Sequence, residues 1–328
     1  MQSSISIALL EDADTRLKCI DVGSAGGFHP RIESVRSHAD IIGIDADPEE
    51  CARLNEAAKN GERYINAAVG REGETVELEL HRKRKTSSCY KTDMERVCYF
   101  YDADRFTEEG TLSFKTRSLD SICQYGGIEG IDYLKIDVEG LELAVLEGYS
   151  GSFLLAEIEV SFHPFRKDMP LFDEIMKHMR DRGFFLLDLR RTFWSPMRQK
   201  DLKNYAAKGV LMFGDALFVL DPFLEANHAL LSTPVARARY LSLLCLYGYT
   251  AEALMVIDML SNGKVMPVNE AKKLEEIIKN GGTRHKWKAP VGRMLLFLEK
   301  WVQFPVAVRS GLFVNSCYQG DGDLGNHE

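Results

Sequence analysis

The chain has 328 residues, 45% of them hydrophobic and 27% charged, an ordinary composition for a globular protein and enough length for two domains. Its 41 Lys/Arg against 49 Asp/Glu give a net charge of −8, which argues against a general nucleic-acid binder. Cysteines at 19, 51, 89, 98, 123, 245 and 317 show neither C-x-x-C spacing nor a Cys/His cluster. They speak against a zinc module or disulfide framework and point to a reducing, cytoplasmic setting. The opening MQSSISIALLEDAD lacks the basic start and long apolar run of a signal peptide. No stretch reaches the ~20 apolar residues needed to cross a bilayer.

In chain order, residues 17–22 (LKCIDV) read as a buried parallel strand running into a glycine-rich loop. Pro30 opens a helix through about Ser37, with His29 or a neighbour as its cap. Residues 40–45 (DIIGID) are a second strand, and Pro48 starts a helix that stops at Asn60-Gly61. A third strand falls near 64–69. From Thr75 the pattern alternates (TVELELH, the polar turn RKRKTSS, then TLSFKTRSL), which predicts an antiparallel insertion beside the parallel sheet. Strand and helix then alternate at 132–137, 141–147, 153–160, 171–182 and 184–189, with a last strand at 216–220. Repeated βα units of this kind make a doubly wound α/β sheet.

After Asp221-Pro222 the strand signal stops and helical spacing takes over at 235–247, 250–260, 269–280 and 290–302. The expected division is therefore a catalytic domain over 1–222, an all-helical domain over 223–319 and a disordered polar tail over 320–328. Residues 230–316 carry 12 Lys/Arg against 6 Asp/Glu, a basic region in an acidic protein. That region is a candidate surface for an acidic membrane or partner, with packing on its own catalytic domain the favoured reading, and the helical domain is also a plausible oligomer contact.

The sharpest local signal is Asp21-Val22-Gly23-Ser24-Ala25-Gly26-Gly27, placed between a strand and a helix. Glycine there permits a tight turn and close approach of a ligand to the main chain. Counting from Gly23, Ala25 and Phe28 stand at the second and third glycine positions of G-x-G-x-x-G, so the loop fails the dinucleotide fingerprint. It suits the amino-acid end of S-adenosylmethionine. Asp45, ending the second strand, is placed to accept ribose hydroxyls, with Asp47 as its rival on the same loop. Ala46 beside it and Ala68 near the end of the third strand complete the expected adenosine contacts.

The fourth parallel strand ends in Lys135-Ile136-Asp137-Val138-Glu139-Gly140. Ligands of open α/β sheets lie beyond the carboxyl ends of the strands, where Asp137 and Glu139 sit. The run LKIDVEGLELAVLEGY, with TRSLDSI before it and the DVGSAGG loop, resembles the FkbM family of methyltransferases over residues 17–221. The resemblance implies a class I (Rossmann-like) fold with a seven-stranded, mostly parallel sheet. It also implies O-methylation of a hydroxyl on a sugar, polyketide or related acceptor. Asp45 stands where the family often has glutamate.

For alcohol methylation the expected proton acceptors or acceptor-orienting carboxylates are Asp137 and Glu139, with Glu159 and His163 at the end of the next strand. Asp137, Glu159 and His163 also form a donor set a divalent metal would accept, an alternative the sequence leaves open. Arg82, Lys83, Arg84 and Lys85 either grip a phosphate on a small-molecule or glycan acceptor or make a solvated turn. Two other classes stand beside this reading: a nicotinamide-dependent sugar oxidoreductase, and a non-catalytic interaction protein on a methyltransferase fold.

Overall fold

The computed structural model describes residues 2–198, 209–281 and 318–320. It opens with α1 (Gln2–Asp12), β1 (Leu17–Val22), α2 (Pro30–Glu33), β2 (Ala39–Asp45), α3 (Pro48–Ala57) and β3 (Glu62–Asn66). An insertion contains β4 (Thr75–His81), α4 (Met94–Val97) and β5 (Glu108–Lys115). Then come α5 (Leu119–Gly126), β6 (Tyr133–Ile136), α6 (Glu142–Glu147), β7 (Leu155–Ser161), α7 (Phe172–Asp181), β8 (Phe184–Trp194) and β9 (Val210–Leu220). Last are α8 (Pro234–Leu246), α9 (Thr250–Asn262), α10 (Val268–Gly281) and the short β10 (Tyr318–Gly320).

The main sheet runs β3-β2-β1-β6-β7-β9-β8-β10. Strands β3, β2, β1, β6 and β7 pair in parallel, β9 lies antiparallel between β7 and β8, and β10 adds a short antiparallel edge. Without β10 this is the seven-stranded class I methyltransferase sheet expected from the sequence. Strand order reverses between β1 and β6, so the ligand crevice lies beyond their carboxyl ends. The central strands are buried almost throughout, which is why they read as continuous apolar runs.

Some boundaries differ for local reasons. The helix expected to Ser37 ends at Glu33, where the Ser34 hydroxyl donates to the Arg31 carbonyl at 2.6 Å and competes with the helical ladder. The third strand is shifted towards the N-terminus. Asn55 clasps both backbone groups of Tyr64, and Ala67 N–H donates to the Asp45 carbonyl, closing the pairing, while Val69 bridges to Arg117 instead. The antiparallel pair β4–β5 exists, but as a separate two-stranded sheet, and residues 82–107 make a long excursion between its strands rather than a hairpin turn.

Helix α1 places Ile5, Leu9 and Leu10 in the core and packs on α8 and α10. Leu241, Leu244, Val256, Leu274 and Ile278 from the C-terminal helices belong to one buried cluster with Leu17, Ile41 and Leu134. Within residues 223–281 the change at Pro222 is thus from strand to helix inside a shared core. The helix expected at 290–302 and residues 321–328 of the expected tail lie outside the described residues. Among the described residues, no helix is long and apolar enough to cross a membrane.

A second cluster lies over the carboxyl edge of the sheet. Val97, Phe100 and Phe106 from the insertion pack there against Phe165, Met169, Trp194 and Met212. The insertion therefore covers the edge at which ligands bind.

Candidate active site at the carboxyl edge of the sheet

The glycine loop closes tightly: Gly23 N–H and Ser24 N–H both reach the Ile44 carbonyl, and Gly27 N–H returns to Ser24. Gly23 has φ +88°, and a Cβ there would stand 1.8 Å from the carbonyl oxygen of Asp137. That contact brings the loop against the D-V-E-G segment. Gly26, also at φ +88°, faces open space, and its N–H donates to Glu50 Oε1 at 2.8 Å. A carboxylate thus already sits on the loop. Arg53 first, and then Gly26, hold the Glu50 carboxyl down at about 2.

Two buried polar atoms at this loop make no hydrogen bond, Asp21 Oδ1 and Ser24 Oγ. Unsatisfied groups of this kind cost about 1–3 kcal/mol each and mark places where a ligand completes the bonding. With open space over Gly26, they fit the zwitterionic end of S-adenosylmethionine. Ala25 is exposed on the same loop.

Asp47 is committed to the cap of α3, accepting from Glu49 and Glu50 N–H, whereas Asp45 ends β2 half-buried and accepts from Asp47 N–H at 2.9 Å. Burial is the main cause of the upward shift of the Asp45 carboxyl. Of the two rivals, Asp47 is therefore engaged in capping the helix and Asp45 is not. Ala46 is exposed beside it, and half-buried Ala68 follows β3, its carbonyl accepting Arg117 N–H.

Across β6, Lys135 Nζ lies 3.2 Å from Asp137 Oδ2 and 3.8 Å from Asp21 Oδ1. Burial works against the ammonium, but Asp21, Asp137 and Glu157 outweigh it and hold Lys135 well above its ordinary value. One positive charge shared between two carboxylates cannot fully compensate both. The deeper one, Asp21, is pushed up to about 7 by burial, against the pull of Lys135. Sequence reasoning missed Lys135, yet its spacing of two from Asp137 on one strand puts both on one face.

Glu139 adopts φ +56°, an uncommon backbone for a non-glycine residue. Buried Arg166 fixes it, with Nη2 2.5 Å from Glu139 Oε2 and Nη1 donating to the Glu139 carbonyl at 3.0 Å. Ser88 of the insertion donates to the same carbonyl, and Arg166 also donates to Thr86 O. Glu139 thus ties the insertion to the site. Burial, only partly offset by Arg166, raises its carboxyl.

Buried Glu142, also missed, folds back to accept from Val138 N–H and Gly140 N–H, both at 3.0 Å. Burial pushes it from an ordinary 4.5 to about 7 despite those bonds. A raised carboxyl stabilises the fold fully below 4.5, and that contribution is lost as pH rises to about 7. Glu142→Gln keeps the acceptor and removes the titration. It is expected to flatten the fall in melting temperature between pH 4.5 and 7, by at most about 3 kcal/mol in stability. An unchanged pH profile would contradict this assignment.

Glu159 lies on β7 beside this cluster. Burial raises its carboxyl well above the ordinary range, and Asp137, Glu139 and Glu142 add to the effect. His163 turns away: its ring meets Phe100 edge-on at 6.2 Å, and its charged neighbours are Arg96 and Asp93 of the insertion. Burial lowers its pKa. The structure therefore gathers Asp137, Glu139 and Glu159 but leaves His163 in the aromatic cover. Among the described residues no group of three His, Cys, Asp or Glu is placed to hold a metal, so Asp137, Glu159 and His163 are not brought together as ligands. In the basic run, Arg82 pairs with Asp104 at 2.9 Å and Arg84 with Glu109 at 3.6 Å. An open cleft of about 420 Å³ lined by Lys18, Ile42, Arg63 and Gly127 lies at the opposite ends of the strands and takes no part in this site.

The methyltransferase FkbM domain matches residues 21–186. The hexuronic acid methyltransferase AglP of Haloferax volcanii is 28% identical over 188 residues, 54% of this chain and 73% of that protein. The 2-O-methyltransferase NoeI of Sinorhizobium fredii is 26% identical over 150 residues, 43% of this chain and 60% of that protein. A TehB-like SAM-dependent methyltransferase from Corynebacterium glutamicum aligns over 66% of this chain and 88% of its own at 14% identity and TM-score 0.29. The fold assignment rests on strand order rather than on that overlap. With the family match spanning the glycine loop, the D-V-E-G segment and the strand that follows, the chain belongs to the FkbM family of S-adenosylmethionine-dependent methyltransferases.

Proposed function

We propose that the enzyme transfers a methyl group to a hydroxyl oxygen of a sugar or glycan. The observation that carries this reading is the placement of Glu159 on β7 beside Asp137, where the neighbouring strand β6 ends, at the covered carboxyl edge of the sheet; burial there raises its proton affinity. The names of the two relatives, a hexuronic acid methyltransferase and a 2-O-methyltransferase, support a carbohydrate hydroxyl as acceptor.

In this reading Asp21, Gly23, Ser24, Ala25 and Gly26 take the methionine end of the cofactor, while Asp45, Ala46 and Ala68 take the adenosine. Bound there, S-adenosylmethionine supplies the methyl group on its sulfonium. Asp137, steadied by Lys135, orients the acceptor hydroxyl, and the Glu159 carboxylate takes its proton as the oxygen bonds to the methyl carbon. Glu139 positions the insertion that covers the acceptor. The six described cysteines are unpaired thiols, which supports a reducing, cytoplasmic setting.

Glu159→Gln tests the assignment with labelled cofactor and a panel of uronic acid and hexose glycosides. Turnover is expected to fall by roughly 10²–10⁴-fold, the usual contribution of a placed base, with S-adenosylhomocysteine affinity retained. The wild-type rate should rise with pH as the raised carboxyl ionises, and the variant should lose that limb. Unchanged turnover, or methyl incorporation only at nitrogen, would overturn the reading.

A further inference from the structure

Beneath the cofactor loop lies a buried polar cluster that the family-matched segment does not complete by itself. Glu157 of β7 is 4% exposed and sits in register with Lys135, which in turn pairs with Asp21. Its Oε2 accepts the hydroxyl of Tyr247 at 2.6 Å and that of Tyr133 at 3.4 Å, and the two hydroxyls are 3.1 Å apart. Arg31, on the turn of helix leading out of the glycine loop, places Nη1 3.9 Å from the same Oε2. Its guanidinium also lies over the Tyr247 ring, 4.1 Å from the centroid.

Tyr247 caps α8, well beyond residues 21–186. Its hydroxyl holds the sheet carboxylate and its ring holds the arginine that follows the loop. One side chain therefore bridges both walls under the cofactor site, and it is 1% exposed. We propose that Tyr247, supplied by the C-terminal helices, is a positioning residue for S-adenosylmethionine, setting Arg31 and Glu157 and through them the exit of the glycine loop. The C-terminal helices are then part of the cofactor site rather than an appendage to it. This inference rests on the loop being the cofactor loop.

Calorimetric titration of S-adenosylhomocysteine into the whole chain tests it. Tyr247→Phe removes one oxygen and is expected to weaken binding about tenfold, a fraction of what a charge-assisted hydrogen bond contributes. Tyr240→Phe is the matched control. It too loses one buried hydroxyl from α8, bonded to the Leu220 carbonyl at 2.8 Å, but stands away from the cluster. It should bind like the wild type. Arg31→Met should also weaken binding, and adding Tyr247→Phe to it should cost little more, because the two act as one unit. Arg31→Met alone carries the test should Tyr247→Phe fail to fold.

Wild-type affinity in Tyr247→Phe, an equal loss in Tyr240→Phe, additive losses in the double variant, or wild-type affinity in Arg31→Met would each overturn the proposal. No binding by the wild type would instead overturn the cofactor assignment beneath it.

Discussion

Gly23→Ala is expected to abolish cofactor binding and to destabilise the fold by about 3 kcal/mol or more. Two independent costs coincide. The residue holds φ +88°, where a side chain is strained, and its Cβ would fall 1.8 Å from the Asp137 carbonyl oxygen. That oxygen belongs to backbone at the end of a central strand, so it cannot swing aside as a flexible side chain would. Relief requires the loop to part from the D-V-E-G segment, which pulls apart the two halves of the site. Gly26→Ala is the comparison: the same φ, but no atom within 4 Å of the added Cβ, so strain alone remains. Urea unfolding of both variants checks the difference. Equal losses would show that the close approach at Gly23 does not matter.

Arg166→Met is the second large effect, expected at about 2–3 kcal/mol. Removing a buried guanidinium leaves the Glu139 carboxylate without its partner, and the penalty for a fully buried pair is roughly 3–5 kcal/mol. The Glu139 side chain is 31% exposed, so water screens part of it. The same loss frees Thr86 O and the Glu139 carbonyl from Arg166, loosening the insertion over the acceptor side. Turnover should fall more than S-adenosylhomocysteine affinity. Lysine at 166 should not rescue, since it keeps the charge but not the planar fork that reaches three oxygens. Recovery of full activity with lysine would mean that charge alone matters.

Most of the sheet is readable from the sequence because its strands are short apolar runs closed by Gly, Pro or Asp: LKCIDV, DIIGID and YLKI each correspond to a buried parallel strand. Helix α1 escapes such reading because its apolar residues form no single stripe, and only its packing on α8 and α10 defines it. The glycine loop and the D-V-E-G segment are equally legible, since both are local.

What stays hidden depends on direction and distance. The sign of φ at Glu139, which turns that carboxylate to Arg166, leaves no trace in residue order. His163 follows β7 by only two residues, but the chain turns there and Phe165 donates back to its carbonyl, sending the ring into the aromatic cover. Glu157, Arg31 and Tyr247 come from three distant segments, and nothing short of the fold joins them. Lys135 and Glu142 were within reach, one by its strand spacing from Asp137, the other by lying two residues past Gly140 with a carboxyl able to reach back to that amide.

The central claim is that the glycine loop and Asp45 hold S-adenosylmethionine. Calorimetric titration of the purified chain with S-adenosylmethionine, S-adenosylhomocysteine and NAD tests it most directly. The account predicts saturable binding of both adenosyl compounds at one site per chain and no binding of NAD. Binding of NAD, or no heat from either adenosyl compound at millimolar concentration, would contradict it.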